Sequence, residues 1–297
     1  MRKFILKLLL VTSLVCNAKS VAFKETIKPD STVVYKTINN TKLLLHIFNP
    51  KGNQKTDKVP VVVFFFGGGW TSGTPKQFYE QCRYFAEKGI VAISAEYRVY
   101  NKHNTTPFDA VSDAKSAIRW VRKNAKELGI NPNKIVASGG SAGGHVAACT
   151  AIIEGYEEAD EDSSISSKPN AMILYNPVLD TTEKGYGMAK VGEERKTDIS
   201  PNHHIKTGIV PTLLFHGKAD KTVPFENAER FNVLMDKSGN ICQLESYEGK
   251  GHGFFNGPFF RKKKADKVIY DELMHKSYAF VKAKLINANN DNIINKK

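Results

Sequence analysis

The chain has 297 residues, 41% of them hydrophobic and 25% charged, which is enough apolar surface for a large core and excludes a disordered class. Its formal net charge of +13 first suggests an anionic partner, but removing residues 1–20 leaves +9, and residues 261–297 alone carry +6. A charge run of this kind is a solvated face, and with no binding motif or aromatic interleaving beside it nucleic acid is excluded as a partner, while loose attraction to acidic polysaccharide or a membrane surface stays open.

In chain order, Arg2, Lys3 and Lys7 surround an apolar stretch at 4–15 that is too short to span a bilayer, which is a signal-peptide pattern. Small residues at Ala18, Ser20 and Ala22 offer cleavage sites, so we expect a signal peptide at 1–20 and one domain over 21–297. The expected destination is secreted or periplasmic, without stable membrane insertion. A lipid anchor at Cys16 is the lesser alternative, because Ser13, Leu14 and Val15 approach it poorly. The segment after the signal holds Cys82, Cys149 and Cys242, an odd number that leaves a free thiol, at spacings that match no metal site.

Residues 32–36 and 43–48 predict an antiparallel hairpin turning at Asn39 and Asn40, and residues 60–66 form an apolar run buried on both faces. Alternation follows: a helix at 77–88, a strand at 90–95, a helix at 110–128, a strand at 134–138 and a helix from Ser141. The 110–128 helix has the clearest apolar stripe, with Gly129 and Pro132 as its stop. Strands at 171–175, 211–215 and 241–246, a helix at 225–237 and a last helix at 267–285 complete a parallel sheet covered by helices. The acidic, Ser-rich residues 156–170 read as a surface loop, and the irregular 176–210 as an insertion or small cap over the site.

Gly139-Gly140-Ser141-Ala142-Gly143 lies between a strand and a helix, the context that makes Gly-x-Ser-x-Gly a nucleophile elbow. The competing reading, a phosphate-binding turn, needs a Lys after the glycines or a Gly-x-Gly-x-x-Gly, and neither is present. Gly67, Gly68 and Gly69 end the buried strand; Gly68, Gly69 and Ala142 are the candidate oxyanion donors, each typically worth about 2.7–4 kcal/mol. A serine hydroxyl needs a base, and the base needs a carboxylate. Asp220 and His252 both follow strands, in the chain order Ser, Asp, His. Asp180 is the rival acid; His145, His203, His204 and His216 are the rival bases.

These residues, with Glu96-Tyr97-Arg98, the His216-Gly217 to Val223-Pro224 segment and Gly251-His252-Gly253-Phe254, resemble the esterase/lipase branch of the α/β-hydrolases. More narrowly the chain is similar to secreted bacterial carboxylesterases of the acetyl-xylan and feruloyl esterase type. The resemblance covers about residues 33–285. It implies an α/β-hydrolase fold, with a mostly parallel sheet, helices on both faces and an antiparallel N-terminal hairpin. It also implies a cofactor-free serine esterase that takes a small ester or an acylated carbohydrate. Phe66 stands where a His commonly precedes the three glycines, and Glu96 where an Asp commonly precedes Tyr-Arg. Two alternatives stay open: amide hydrolysis by the same residues, as in an arylformamidase or a peptidase, and a non-catalytic carbohydrate-binding protein on a hydrolase scaffold.

Overall fold

A computed structural model describes residues 26–287; the expected signal peptide lies outside the described residues. An eight-stranded sheet is ordered β1-β2-β4-β3-β5-β6-β7-β8. β1 (Ser31–Ile38) and β2 (Thr41–Phe48) form the hairpin, and β2 pairs antiparallel with β4 (Val91–Ala95). β3 (Val59–Phe65), β5 (Ile130–Gly140), β6 (Ala171–Tyr175), β7 (Thr212–Gly217) and β8 (Cys242–Tyr247) run parallel. The run from Val61 to Phe65 is fully buried, as a strand covered on both faces requires.

The helices are α1 (Tyr79–Glu87), α2 (Tyr100–His103), α3 (Pro107–Lys123), α4 (Ala125–Leu128), α5 (Ala142–Ile152), α6 (Met188–Val191), α7 (Glu226–Lys237), α8 (Pro258–Arg261) and α9 (Lys267–Val281). α3 packs on α5 and α1 on α9. Among the described residues no helix is long and apolar enough to cross a membrane.

Two local expectations are corrected and a third is extended. The helix expected at 110–128 begins at Pro107, where Thr106 and Asp109 form a capping box, and breaks at Asn124, whose side chain donates to the Trp120 carbonyl at 2.8 Å. β5 begins at Ile130, because Ile130 still pairs with Val59 before a bulge carries Pro132 out of the ladder. Residues 156–170 are more than a surface loop: Glu157 pairs with Lys115 and Arg119, Glu158 with Lys36, and Glu161 with Arg119, strapping the segment over α3. Beneath it, buried Asp113 accepts from Arg98 Nε at 2.8 Å and stands 2.7 Å from Lys36 Nζ.

After β3 the chain goes to β4 on one side, then returns past β3 to β5 on the other. The carboxyl ends of β3 and β5 therefore flank a topological switch point, where a crevice opens between diverging connections. Those two ends carry Gly67, Gly68 and Gly69, and Ser141.

Candidate active site

Ser141 sits at φ 57°, ψ −125°, in the left-handed region that a non-glycine residue occupies only under constraint. The turn is held by the Ser141 N–H donating to the Tyr175 carbonyl at 3.0 Å and by the Ser141 carbonyl accepting from His145 N–H at 3.0 Å. Its neighbours must be bare: a Cβ on Gly143 would overlap the Phe65 and Phe66 carbonyls, and one on Gly140 would overlap the Phe255 ring.

The structure brings Ser141, His252 and Asp220 together. His252 Nδ1–H donates to Asp220 Oδ2 at 2.7 Å, and His252 Nε2 lies 2.8 Å from Ser141 Oγ. A carboxylate only accepts, so Nδ1 carries the proton and the Nε2 lone pair faces the serine hydroxyl. The Asp220 side chain is closed off from solvent. It accepts from Asn176 Nδ2 at 2.6 Å and from the N–H groups of Thr222 at 2.8 Å and Val223 at 3.0 Å. Burial pushes its carboxyl upward, but hydrogen bonds from His216, His252 and Val223 N–H outweigh that and hold it far below the usual carboxylate range.

The rivals are occupied elsewhere. Asp180 accepts from Thr182 and from Arg230 Nη1 at 3.0 Å. His145 is buried, packs edge-on against Trp70, donates to the Ile199 carbonyl at 2.7 Å, and burial pulls its imidazole down to about 4. His216 Nε2 donates to the Val223 carbonyl at 3.0 Å and so shapes the Asp220 loop. His203 faces Ser200, and His204 faces the Thr197 carbonyl.

Gly68 and Gly69 line the same cleft as Ser141 and His252, and Ala142 opens α5 immediately after the serine. The Gly68 carbonyl accepts from the N–H groups of Thr71 at 3.1 Å and Ser72 at 3.2 Å. Across a trans peptide this turns the Gly69 N–H to the opposite side. Among the described residues nothing accepts from the N–H of Gly68, Gly69 or Ala142. Backbone N–H groups left unengaged are the kind of donor that a developing oxyanion requires.

Sequence reasoning missed Gln77. Gly67 N–H donates to Gln77 Oε1 at 2.6 Å, Gln77 Nε2 donates to Asn256 Oδ1 at 2.8 Å, and Asn256 Nδ2 donates to the Gly253 carbonyl at 2.9 Å. One buried amide thus ties the glycine loop to the loop bearing His252. Its sequence neighbourhood carries no signal, because Gln77 and Asn256 are 179 positions apart. Phe66, at the position that departs from the family pattern, stacks on Tyr97 with ring centroids 4.2 Å apart, and Tyr97 Oη–H donates to the Phe66 carbonyl at 2.6 Å. Glu96 accepts from Leu44 N–H at 3.1 Å, bracing β2.

From the irregular 176–210 segment, Tyr186 borders the cleft, and Lys190 donates to the Gly69 carbonyl at 3.0 Å. The cleft holds about 390 Å³. Among the described residues no three His, Cys, Asp or Glu side chains stand together as a metal site.

A strand-to-helix serine at the switch point of a mostly parallel sheet, with a histidine and a carboxylate delivered after later strands, defines the α/β-hydrolase class. Comparison with known proteins narrows this. Residues 45–183 match the BD-FAE family and residues 171–275 the dienelactone hydrolase family. Thermogutta terrifontis esterase 2, phosphoramylated by tabun, superposes with a TM-score of 0.81 at 46% identity, covering 87% of this chain and 96% of that one. Its propionate-bound form gives 0.78 at 47%, covering 84% and 93%. A probable isoprenylcysteine alpha-carbonyl methylesterase of Arabidopsis thaliana is 29% identical over 70% of this chain and 48% of its own length. An acetylxylan esterase of Xylanibacter ruminicola is 27% identical over 69% and 42%. The chain spans about half the length of the curated relatives it matches. It belongs to the α/β-hydrolase esterases.

Proposed function

We propose that this chain is a carboxylic ester hydrolase that works through an acyl-enzyme on Ser141. The observation that carries the reading is the continuous hydrogen-bonded line from Ser141 Oγ through His252 to Asp220, in a cleft also lined by Gly68 and Gly69, whose N–H groups are unengaged. In the proposed reaction Ser141 Oγ attacks the ester carbonyl as its proton passes to His252 Nε2. The oxyanion takes hydrogen bonds from Gly68, Gly69 and Ala142 N–H, and Asp220 stabilises the imidazolium. Collapse expels the alcohol, which takes the proton from His252. A water activated by the same nitrogen then attacks the acyl group, releasing the acid and restoring Ser141.

The relatives' names support ester over amide chemistry, and the propionate-bound and butyrate-bound structures of the Thermogutta enzyme support short acyl groups. Acylated polysaccharide is the substrate class we propose, on the acetylxylan esterase likeness, and export to the periplasm or medium is proposed on the signal-peptide pattern at 1–20. Paraoxon is the direct test, since it phosphorylates the Thermogutta enzyme. It should inactivate turnover of p-nitrophenyl acetate and leave a diethylphosphoryl mass on the peptide bearing Ser141. Activity that persists in folded Ser141→Ala would end the proposal.

A further inference from the structure

The cleft beside Ser141 holds a cation that the fold leaves unused. Arg261, the last residue of α8, lies against Gly253, which follows His252. A Cβ on Gly253 would stand 2.5, 2.7 and 3.0 Å from Arg261 Nη2, Cζ and Nη1. Three atoms of a planar group at similar distances from one point describe a guanidinium seated face-on, and the seat exists because position 253 has no side chain.

Arg83, Arg98, Arg119, Arg195 and Arg230 each pair with a carboxylate, and Arg122 is engaged by backbone carbonyls. Among the described arginines, Arg261 has neither kind of partner. No Asp or Glu lines the cleft, and Asp220 is closed off behind His252. The Lys190 ammonium, bound to oxygens of Gly69 and Tyr186, two residues that line the cleft, also has no carboxylate within ion-pair distance among the described residues. The cleft at the reacting serine therefore carries one guanidinium without a carboxylate in its lining, against the residue that follows the catalytic histidine, and one such ammonium bound to its Gly69 and Tyr186 walls.

We propose that Arg261 is a specificity-determining residue and that the favoured esters carry a carboxylate on the part of the molecule that lies over Gly253. This rests on the esterase reading above. A guanidinium presents paired N–H donors that match a carboxylate's two oxygens, whereas a neutral group in the same place would leave them to water. Because Arg261 is exposed to solvent, the preference is modest, about fivefold in kcat/KM.

The experiment compares charged esters with neutral isosteres: monomethyl succinate against methyl succinamate for the acyl side, and 4-acetoxybenzoate against 4-acetoxybenzamide for the alcohol side. The readout is the ratio of kcat/KM within each variant, so a general loss of activity cancels. In wild type one pair should favour the carboxylate, and added salt should shrink that ratio. Arg261→Gln should bring the ratio to one and Arg261→Lys should restore part of it. Equal rates in both pairs, or a preference that survives Arg261→Gln and vanishes in Lys190→Gln, would overturn the assignment to Arg261. If no ester of either kind is turned over, the esterase reading itself has failed.

Discussion

Replacing Gln77 with Met tests whether the glycine loop and the His252 loop are positioned by one shared amide. Met keeps the length and the buried stem but removes both hydrogen bonds, leaving Gly67 N–H and Asn256 Oδ1 without their partner. Each buried group left unpaired costs about 1–3 kcal/mol, so for the two we expect a total loss of about 2–6 kcal/mol, measured by urea denaturation. The kinetic effect has a separate origin. Gly67 precedes the two candidate oxyanion donors, and a shift of about 1 Å in such groups lowers rate by up to about 100-fold. We expect kcat for p-nitrophenyl acetate to fall about 10–100-fold with KM little changed, because ground-state binding does not depend on those donors. Gln77→Glu keeps an acceptor for Gly67 N–H and should retain more of kcat. If Gln77→Met loses stability yet keeps kcat within about twofold, the loop holds its position without Gln77 and the reasoning is wrong.

Asp220→Asn should lower kcat by about 10³–10⁴-fold, through loss of both the imidazole tautomer and imidazolium stabilisation, while Asp180→Asn should act mainly on stability; comparable kcat losses from both would contradict the assignment. His145 is buried neutral, with its imidazole pulled down to about 4 against about 6.5 in the unfolded chain, so the unfolded state binds the extra proton between those values. Stability should therefore be full above about pH 6.5 and fall by about 3 kcal/mol towards pH 4. His145→Gln should flatten that slope in chemical denaturation across this range, and an unchanged slope would refute it. Asp113→Ala removes the carboxylate between buried Arg98 and Lys36 and should cost about 3–5 kcal/mol in denaturation, where a loss under 1 kcal/mol would mean the cations find other partners.

The parallel sheet was legible because its signals are local: the apolar run of β3, the stripe of α3 and the glycines around Ser141 each mark their element within a few residues. Ser141, Asp220 and His252 could be named for the same reason, since each stands at a strand end with diagnostic neighbours. What escaped was long-range and polar. Nothing near Glu157 or Glu161 foretells Lys115 or Arg119, which lie some 40 positions earlier and need the folded sheet to meet them. Gln77 is silent in the sequence because a buried amide has no periodicity, and its role exists only once Asn256 is beside it. The early start of β5 was hidden by Pro132, which reads as a stop until a bulge removes it from the ladder.

The switch point between β3 and β5 divides the site into parts that can change independently of one another. The serine and its glycine loop hang from two adjacent central strands, and their separation is inherited from the spacing of the sheet. Tyr186, Lys190 and Arg261 arrive on connections that leave the crevice and return to it, and these can lengthen, shorten or change charge without moving a strand. A lineage built this way can exchange its substrate while its reaction stays fixed, so divergence from its relatives should concentrate in residues 176–210 and 253–266.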